Sequence, residues 1–237
     1  MKNIKYIYLK ELRSYFNGLM AYIFLVIFSL VTGYFFSNTF FIFGQSDMRA
    51  LFQIVPLVYL FFIPAITMGI ISKEKNLGTM EVICTLPIKD FELVIGKYLS
   101  ILSLLFVGLL LTNIMFFNLM AVGTNIDYGA IFTGYLGLFL AGAVYASMGI
   151  FASSLTDNQV VGFIIAIFFV LIFFLIDKLL IFMPNSIAGT MQYLSIDYHL
   201  SNISRGVIDS RNLIYFFSMI GLFLLLTIES LGSRKWN

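Results

Sequence analysis

Long apolar stretches alternate with short polar breaks along the whole chain. Six stretches are long enough to cross a lipid bilayer, and they cover residues 19–43, 51–71, 98–122, 131–155, 160–183 and 213–231. A membrane-spanning helix needs about 17–25 mainly apolar residues, and a helix satisfies its backbone hydrogen bonds within its own segment. The pattern therefore predicts an all-α membrane protein, with six transmembrane helices forming a single transmembrane domain over residues 1–237.

The composition agrees with lipid as the solvent on most faces of the protein. Of the 237 residues, 60% are hydrophobic and 11% are charged, whereas soluble domains carry about 25% charged residues. The net charge of +2 is too small to indicate a nucleic-acid partner. A single cysteine and a single histidine argue against a thiolate or multi-histidine metal site, so neither a metal nor a cofactor is expected.

The lysines and arginines predict which way the helices cross the membrane. Ten of the fourteen lie at the two termini and between the second and third stretches, and four lie on the opposite side. Because cytoplasmic loops carry the excess of positive charge, both termini and residues 72–97 are expected in the cytoplasm. The segment 184–212, before the last helix, is expected to face outward.

Residues 1–18 have the pattern of an amphipathic helix lying at the membrane interface. At 100° per residue, apolar side chains fall on one face and basic side chains on the opposite side. The two sets are Ile4, Tyr8, Leu12 and Tyr15, and Lys2, Lys10 and Arg13. Two interpretations are open: a basic anchor that only sets the topology, and a dedicated docking surface.

The polar segment 72–97 is the most charged internal part of the chain, with eight of its 26 formal charges (14 basic plus 12 acidic). Gly78 is expected to end the extension of the second helix, and Thr79 to cap a short helix over MEVICTL. Pro87 ends that helix, because the residue before a proline avoids the helical conformation. Asp90 is expected to cap the next helix, which runs into the third stretch. The segment therefore predicts a short helix across the base of two spans, with a plain solvated loop as the alternative.

The fourth stretch contains two pairs of small residues four positions apart. Such spacing lets helix backbones approach closely, either within the subunit or across a dimer. The pairs are Gly137 with Ala141 and Gly142 with Ala146.

The chemistry of several other membrane-protein classes is missing from the spans. They hold no ionisable residue near mid-depth, as a proton- or sodium-coupled carrier requires, and no charged ring or filter-like run of a channel. The spans also lack the catalytic groups that an intramembrane enzyme would need. The Gly96-Lys97 pair is no P-loop, because Tyr98 follows it and Phe91 replaces the first glycine. Any energy that the protein uses is therefore expected from a partner.

Residues 73–99 resemble the signature of the permease subunits of ABC-2-type ABC transporters. That signature combines an E-x-x-x-G-T-x-E element, a Leu-Pro turn and a Gly-Lys pair. The matching positions are Glu74, Gly78, Thr79, Glu81, Leu86, Pro87, Gly96 and Lys97. The N-terminal KELRSYFNGLMAYIF resembles the family's interfacial entry into the first transmembrane helix.

The outer segment YLSIDYHLSNISRGVIDSRNLIYF is similar to that of one subgroup, the permeases of gliding motility and of nitrous-oxide-reductase maturation. The matching positions are His199, Ser204, Arg205, Gly206, Asp209 and Arg211, and Tyr198 lies beside them.

The resemblance implies six transmembrane helices per subunit, with short re-entrant helices on the outer face between helices 5 and 6. It also implies a pair of permease subunits, identical or diverged, and two copies of a separate cytoplasmic ATPase that binds ATP-Mg. Closure of the ATPase pair would push the coupling segment 72–97 and open the permease outward, for export across the bacterial inner membrane. The residues expected at the ATPase are Glu74, Gly78, Thr79, Met80, Glu81, Val82, Cys84, Leu86, Pro87 and Lys89.

Individual charges within these segments have separate expected roles. Glu81 and Lys89 are interpreted as polar contacts to the ATPase, with simple solvation as the alternative. Three lysines are interpreted as orientation charges at the lipid surface: Lys73, Lys75 and Lys97. Cys84 is read as a small apolar residue of the coupling helix.

On the outer side, Arg205, Asp209 and Arg211 are expected to form an ion-pair cluster. The cluster would organise the outer segment or dock an external protein, and the first role is favoured. His199 is interpreted as a hydrogen-bonding member of the same segment rather than a metal ligand.

Two other functions remain open from the sequence. The chain could be a membrane scaffold that anchors gliding or envelope machinery without transporting anything. It could also be an autonomous intramembrane enzyme, which the missing catalytic groups disfavour.

Overall fold

The protein is all-helical throughout the part of the chain that the structure describes. The computed structural model describes residues 2–42, 47–124, 126–182 and 184–233, without the side chains of Lys2, Ile42, Cys84, Ile181 and residues 185–188. Within these ranges the α-helices are α1 (Lys2–Asn17), α2 (Leu19–Ser37), α3 (Arg49–Thr67), α4 (Ser72–Asn76), α5 (Thr79–Thr85), α6 (Asp90–Val122), α7 (Tyr128–Ser154), α8 (Gln159–Leu179), α9 (Asn185–Gln192), α10 (Ile196–Ile203) and α11 (Ser210–Gly232). A π-helical turn, Asn38–Ile42, extends α2, and a 3-10 turn, Leu180–Phe182, extends α8.

Six of the described helices, α2, α3, α6, α7, α8 and α11, are long and apolar enough to cross a membrane. The predicted fold class, an all-α protein with six such helices, is confirmed. The third of them, α6, is one continuous helix of 33 residues. It begins at Asp90, before the predicted apolar stretch 98–122, and its first turns carry charged residues.

Helix α7 occupies the centre of the bundle and is the most deeply buried of the six. A Cβ atom added at Gly137 would lie 2.8 Å from Leu200 of α10, and one added at Gly142 would lie 2.5 Å from Leu105 of α6. The side chains of Ala141 and Ala146 are fully buried. The two small-residue pairs therefore lie at contacts between helices of one subunit, where a larger side chain would push the neighbouring helix away.

The short helices lie at the two ends of the bundle. The end that carries α1, α4 and α5 is called the base below, and the end that carries α9 and α10 is called the top. At the base, α1 packs along the first turns of α6, because Gly96 leaves room for Ile7. At the top, α10 packs onto α7 and α11 through its buried residues Ile196, Leu200 and Ile203.

Candidate functional site

The segment between α3 and α6 forms a compact turn-helix-turn unit at the base. Gly78 separates α4 from α5 with φ +68°, in the left-handed region that glycine adopts without strain. Helix α5 ends at Thr85, and Leu86 has the extended conformation expected before Pro87. The glycine break and the proline stop lie where the sequence predicts them, and the short helix predicted over MEVICTL, residues 80–86, is observed one residue earlier, at Thr79–Thr85.

Two predicted helix caps are wrong in detail. Thr79 is the first residue of α5 and not its cap, and its hydroxyl donates a hydrogen bond to the Glu74 carbonyl (3.2 Å). Asp90 is likewise the first residue of α6, and Lys89 takes the cap position. The Glu92 carboxylate accepts a hydrogen bond from the Lys89 backbone N–H (3.3 Å). Glu92, in the first turn, thus satisfies the backbone donor at the cap position of α6.

Lys97 is the centre of a buried charge cluster at the base. Only 1% of its side chain is exposed, and its Nζ lies 2.8 Å from Glu74 Oε2 and 3.0 Å from Glu11 Oε1. The same Nζ donates a hydrogen bond to the Ile70 carbonyl (2.8 Å). A buried ammonium group is tolerated when opposite charges and hydrogen bonds surround it, and these partners come from α1, α4 and the end of the α3 region.

Lys10 closes the cluster on its solvent side. Its Nζ lies 3.0 Å from Glu74 Oε1 and 3.3 Å from Glu11 Oε1. Burial lowers the pKa of Lys10, but the hydrogen bond to Glu74 and the charges of both carboxylates outweigh this effect, so the pKa lies above its usual value. Two lysines and two glutamates thus form a neutral group, called the basal charge cluster: Lys10, Glu11, Glu74 and Lys97.

The interpretation of Lys97 as a charge at the lipid surface is wrong, because Lys97 is enclosed by protein. Lys75 is half-buried and its Nζ donates a hydrogen bond to the Ser154 carbonyl at the end of α7, and its role as an orientation charge stays a prediction. The side chain of Lys73 is exposed. Sequence reasoning missed the partner Glu11, although it is the sole carboxylate among the first 46 residues and so an unusual member of a basic helix.

Further hydrogen bonds tie the base segment to the rest of the bundle. Ser153 of α7 accepts hydrogen bonds from the backbone N–H groups of Ile71 and Ser72, each at 3.1 Å. Asn3 of α1 donates to the Glu92 carboxylate (2.9 Å) and to the Pro87 carbonyl (3.4 Å). The segment is therefore bonded to α1, α6 and α7, and is no independently mobile loop.

Several apolar side chains of the base segment point away from the bundle. Val82 is 64% exposed and Leu77 is 63% exposed, while Met80 on the other side of α5 is buried. Glu81, Pro87 and Lys89 are also exposed. The exposed apolar side chains of this segment, called the basal apolar group, are Leu77, Val82, Leu86 and Phe91. The prediction for Cys84 concerns a side chain outside the described part of the structure.

His199 lies buried at the top as a hydrogen-bonding residue. Its Nδ1 is 2.7 Å from Asn212 Oδ1 and its Nε2 is 3.0 Å from the Tyr193 carbonyl oxygen. Its ring stacks on Tyr215 with 4.0 Å between the ring centres, and Tyr198 lies edge-on beside it. These contacts join α10 to the first turns of α11. Among the described residues no group of three histidine, cysteine, aspartate or glutamate side chains could hold a metal ion.

The expected ion-pair cluster of the outer segment is wrong. Arg205, Asp209 and Arg211 are all exposed, and no ion pair joins them in the described part of the chain. Asp209 instead caps α11 by accepting a hydrogen bond from the Arg211 backbone N–H (2.9 Å). An ion pair between Lys178 and Asp197 (2.7 Å) links α8 to α10 in its place.

Comparison with known protein families places the chain in a transporter family. The family model described as "ABC-2 family transporter protein" matches residues 44–229, or 186 of the 237 residues. No curated protein sequence matches the chain. Subunits of that family are multi-pass membrane proteins of transporters, without an ATPase site of their own, and generally work with a cytoplasmic ATPase and a second permease. Given this match and six apolar helices, the chain belongs to the ABC-2 family of transporter proteins.

Proposed function

We propose that the protein is the permease subunit of an ABC exporter and that a separate ATPase docks on residues 72–97. The observation that carries the proposal is the basal apolar group, which lies on a segment bonded to three long elements of the bundle. The excess of lysine and arginine at this end supports a cytoplasmic location.

Exposed apolar side chains within a charged segment support a protein contact there. Single exposed apolar residues are common on any surface, but a group of them rimmed by polar residues is typical of an interaction site. Val82 and Leu86 would fill apolar pockets of the ATPase, and Glu81 and Lys89 beside them would form polar contacts. Interfaces commonly combine an apolar centre with such a polar rim.

The basal charge cluster supports mechanical coupling between the docked ATPase and the membrane helices. A push on α5 reaches α6 through the short connection at Pro87, and reaches α1 through Lys97 and Glu11. The hydrogen bonds of Ser153 carry the same displacement to α7. In this proposal the bonded base moves as one body, and closure of an ATPase pair would tilt several spans together, which is a rigid-body transition.

The complete assembly would contain two permease subunits and two ATPase subunits, with ATP-Mg bound by the ATPase. The second permease would be an identical copy or a diverged one, in the bacterial inner membrane. Helix α8 is the least buried of the six long helices, which leaves it free to face lipid or the second permease. The resemblance of the outer segment to the gliding-motility and nitrous-oxide-reductase-maturation subgroup supports an additional partner at the top.

The proposal is tested by purifying the tagged protein from its native membrane in mild detergent and identifying the co-purifying ATPase by mass spectrometry and by ATP turnover. The informative variant is Val82→Asp, and the matched control is Val207→Asp at the top, because both valines are 64% exposed. We expect Val82→Asp to lower the recovered ATPase at least about tenfold, since it places a charge in an apolar contact, and Val207→Asp to retain it. Elution without any ATPase, or equal recovery with both variants, would contradict the proposal and favour a membrane scaffold.

A further inference from the structure

A polar cavity of about 480 Å³ lies at the top, between the start of α3 and helix α10. Arg49 and Gln53 line it from α3, and Ser201, Ser204 and Arg205 line it from α10 and the turn that follows. These side chains belong to elements far apart in sequence. The proposed docking of an ATPase at the base makes no use of them.

The two arginines of the cavity have little compensation from the protein. Arg205 has no carboxylate within ion-pair distance among the described residues, and the ion pair of Arg49 with Asp47 is long at 3.7 Å. Asp47 already accepts a hydrogen bond from the Arg49 backbone N–H (3.1 Å). The cavity therefore presents two guanidinium groups with unused hydrogen-bond donors.

The carboxylates that face this region have partners of their own. Asp197, which also lines the cavity, is paired with Lys178 at 2.7 Å. Asp127 lines a smaller neighbouring cavity and accepts a hydrogen bond from the Ala130 backbone N–H (3.1 Å). Asp127 keeps its charge in the neighbouring cavity, whereas Asp197 is neutralised by Lys178. The charged residues that line the cavity itself are Arg49, Arg205 and Asp197, so its lining carries a net positive charge that favours an anion.

We propose that this cavity binds a phosphate group, with Arg49 and Arg205 as its charged ligands. Guanidinium groups match phosphate oxygens through paired hydrogen bonds, and Gln53, Ser201 and Ser204 supply additional donors. Apart from Asp197, the remaining wall is apolar and consists of Phe52 and Leu200, which are buried against α7. A phosphate that carries a hydrocarbon chain would use both surfaces, and free phosphate would use the polar one.

The position of the cavity fits a lipid headgroup as the first source of this phosphate. It lies where α3 begins, at the end of a membrane-crossing helix, and headgroups lie at the ends of such helices. A soluble phosphate compound reaching the top from the aqueous side would offer the same chemical group. The two sources differ in whether the hydrocarbon chain contributes to affinity.

The experiment measures binding to the purified full-length protein in maltoside detergent at constant ionic strength. The probes are dihexanoyl phosphatidic acid and inorganic phosphate, and dihexanoyl phosphatidylcholine serves as the reference without a monoester phosphate. The informative variant is the double replacement Arg49→Gln and Arg205→Gln. The matched control is Arg211→Gln, because Arg211 is an exposed arginine at the same end but does not line the cavity.

We expect phosphatidic acid to bind the wild type and the Arg211→Gln variant equally, and the double variant at least about tenfold more weakly, because a charge-assisted contact is lost at each arginine. Tighter binding of phosphatidic acid than of phosphate would identify a lipid headgroup, and equal affinity would identify a soluble phosphate. Undetectable binding of both probes, or equal weakening by Arg211→Gln, would overturn the proposal.

Both replaced arginines are exposed, so the double variant is expected to fold, and its elution profile and far-ultraviolet circular dichroism verify this. Recovery of the ATPase with the double variant is expected to match the wild type, since the basal apolar group is untouched. Failure of the phosphate site therefore leaves the proposed function intact, and failure of ATPase docking leaves the phosphate site intact.

Discussion

Lys97 Nζ lies 2.8 Å from Glu74 Oε2, and only 1% of the lysine side chain is exposed. Glu74 lies in α4, and Lys97, 23 positions later in the chain, lies in α6. Together with Glu11, their contact links α1, α4 and α6 into one bonded unit at the base. Within this unit the opposite charges stabilise one another in place of water, so removing one of them is expected to lower the stability of the protein.

Removing the ammonium group of Lys97 is expected to destabilise the protein strongly. In Lys97→Met only Lys10 remains to balance Glu74 and Glu11, so one largely buried carboxylate charge is left uncompensated, which costs about 3–5 kcal/mol. Thermal unfolding of the detergent-purified protein measures the effect. Lys73→Met, at an exposed lysine of the same segment, is the control and should unfold like the wild type.

A second replacement separates this electrostatic cause from a packing defect. Adding Glu74→Gln to Lys97→Met removes one orphaned charge, so the double variant should regain part of the lost stability. If the double variant is less stable than Lys97→Met alone, then the charge interaction is not the cause.

Gly96 is expected to tolerate no side chain, because it is the point at which α1 contacts α6. A Cβ atom there would lie 2.8 Å from Ile7 Cβ and 3.1 Å from the Ile4 carbonyl oxygen. Gly96→Ala should therefore displace α1 and cost about 1–3 kcal/mol, as overpacking does. Gly221→Ala in α11 is the matched control, since nothing lies within 4 Å of its added Cβ, and it should be neutral or slightly stabilising. In an Ile7→Gly background, which removes the contacting Cβ and Cγ2 atoms, Gly96→Ala should cost less stability than it does in the wild type, and an equal cost would argue against this contact.

Gly78 is expected to act through its backbone conformation alone. Its φ of +68° is strained for most residues, yet a Cβ atom there would meet nothing within 4 Å. Gly78→Asn should therefore retain ATP turnover of the co-purified complex, because asparagine tolerates the left-handed region, while Gly78→Val should lower it by misdirecting α5. Equal turnover in the two variants would show that the orientation of α5 does not depend on this residue.

His199 is expected to hold the top segment together. In His199→Leu the buried Asn212 side chain and the Tyr193 carbonyl each lose a hydrogen-bond partner, at about 1–3 kcal/mol for each group left unsatisfied. Limited proteolysis of the 184–212 segment should become faster, and the melting temperature should fall. Adding Asn212→Leu should restore part of the stability because it removes one of the orphaned groups, whereas further destabilisation would assign His199 a different role.

Local signals in the sequence located the elements of the base and missed the contacts between them. The short helix α5 was predictable because Gly78 and Pro87 act on the backbone of their own neighbourhood. The two cap assignments failed by one residue, since Thr79 and Asp90 were placed outside helices that include them. The prediction of an ion-pair cluster at Arg205, Asp209 and Arg211 failed because closeness along the chain does not by itself bring exposed side chains into contact.

The sequence by itself determined the membrane class, the six long helices and the turn-helix-turn unit of the base. These properties depend on average hydropathy and on local backbone preferences. Both are set by residues close together in the chain and do not require contacts with distant ones. Only the tertiary structure decided that Lys97 is buried with Glu11 and Glu74, that Asp197 pairs with Lys178 and that Arg49 shares a cavity with Arg205. Such pairings join residues from different elements of the fold, and the solvation of each charge is set by which helices meet around it.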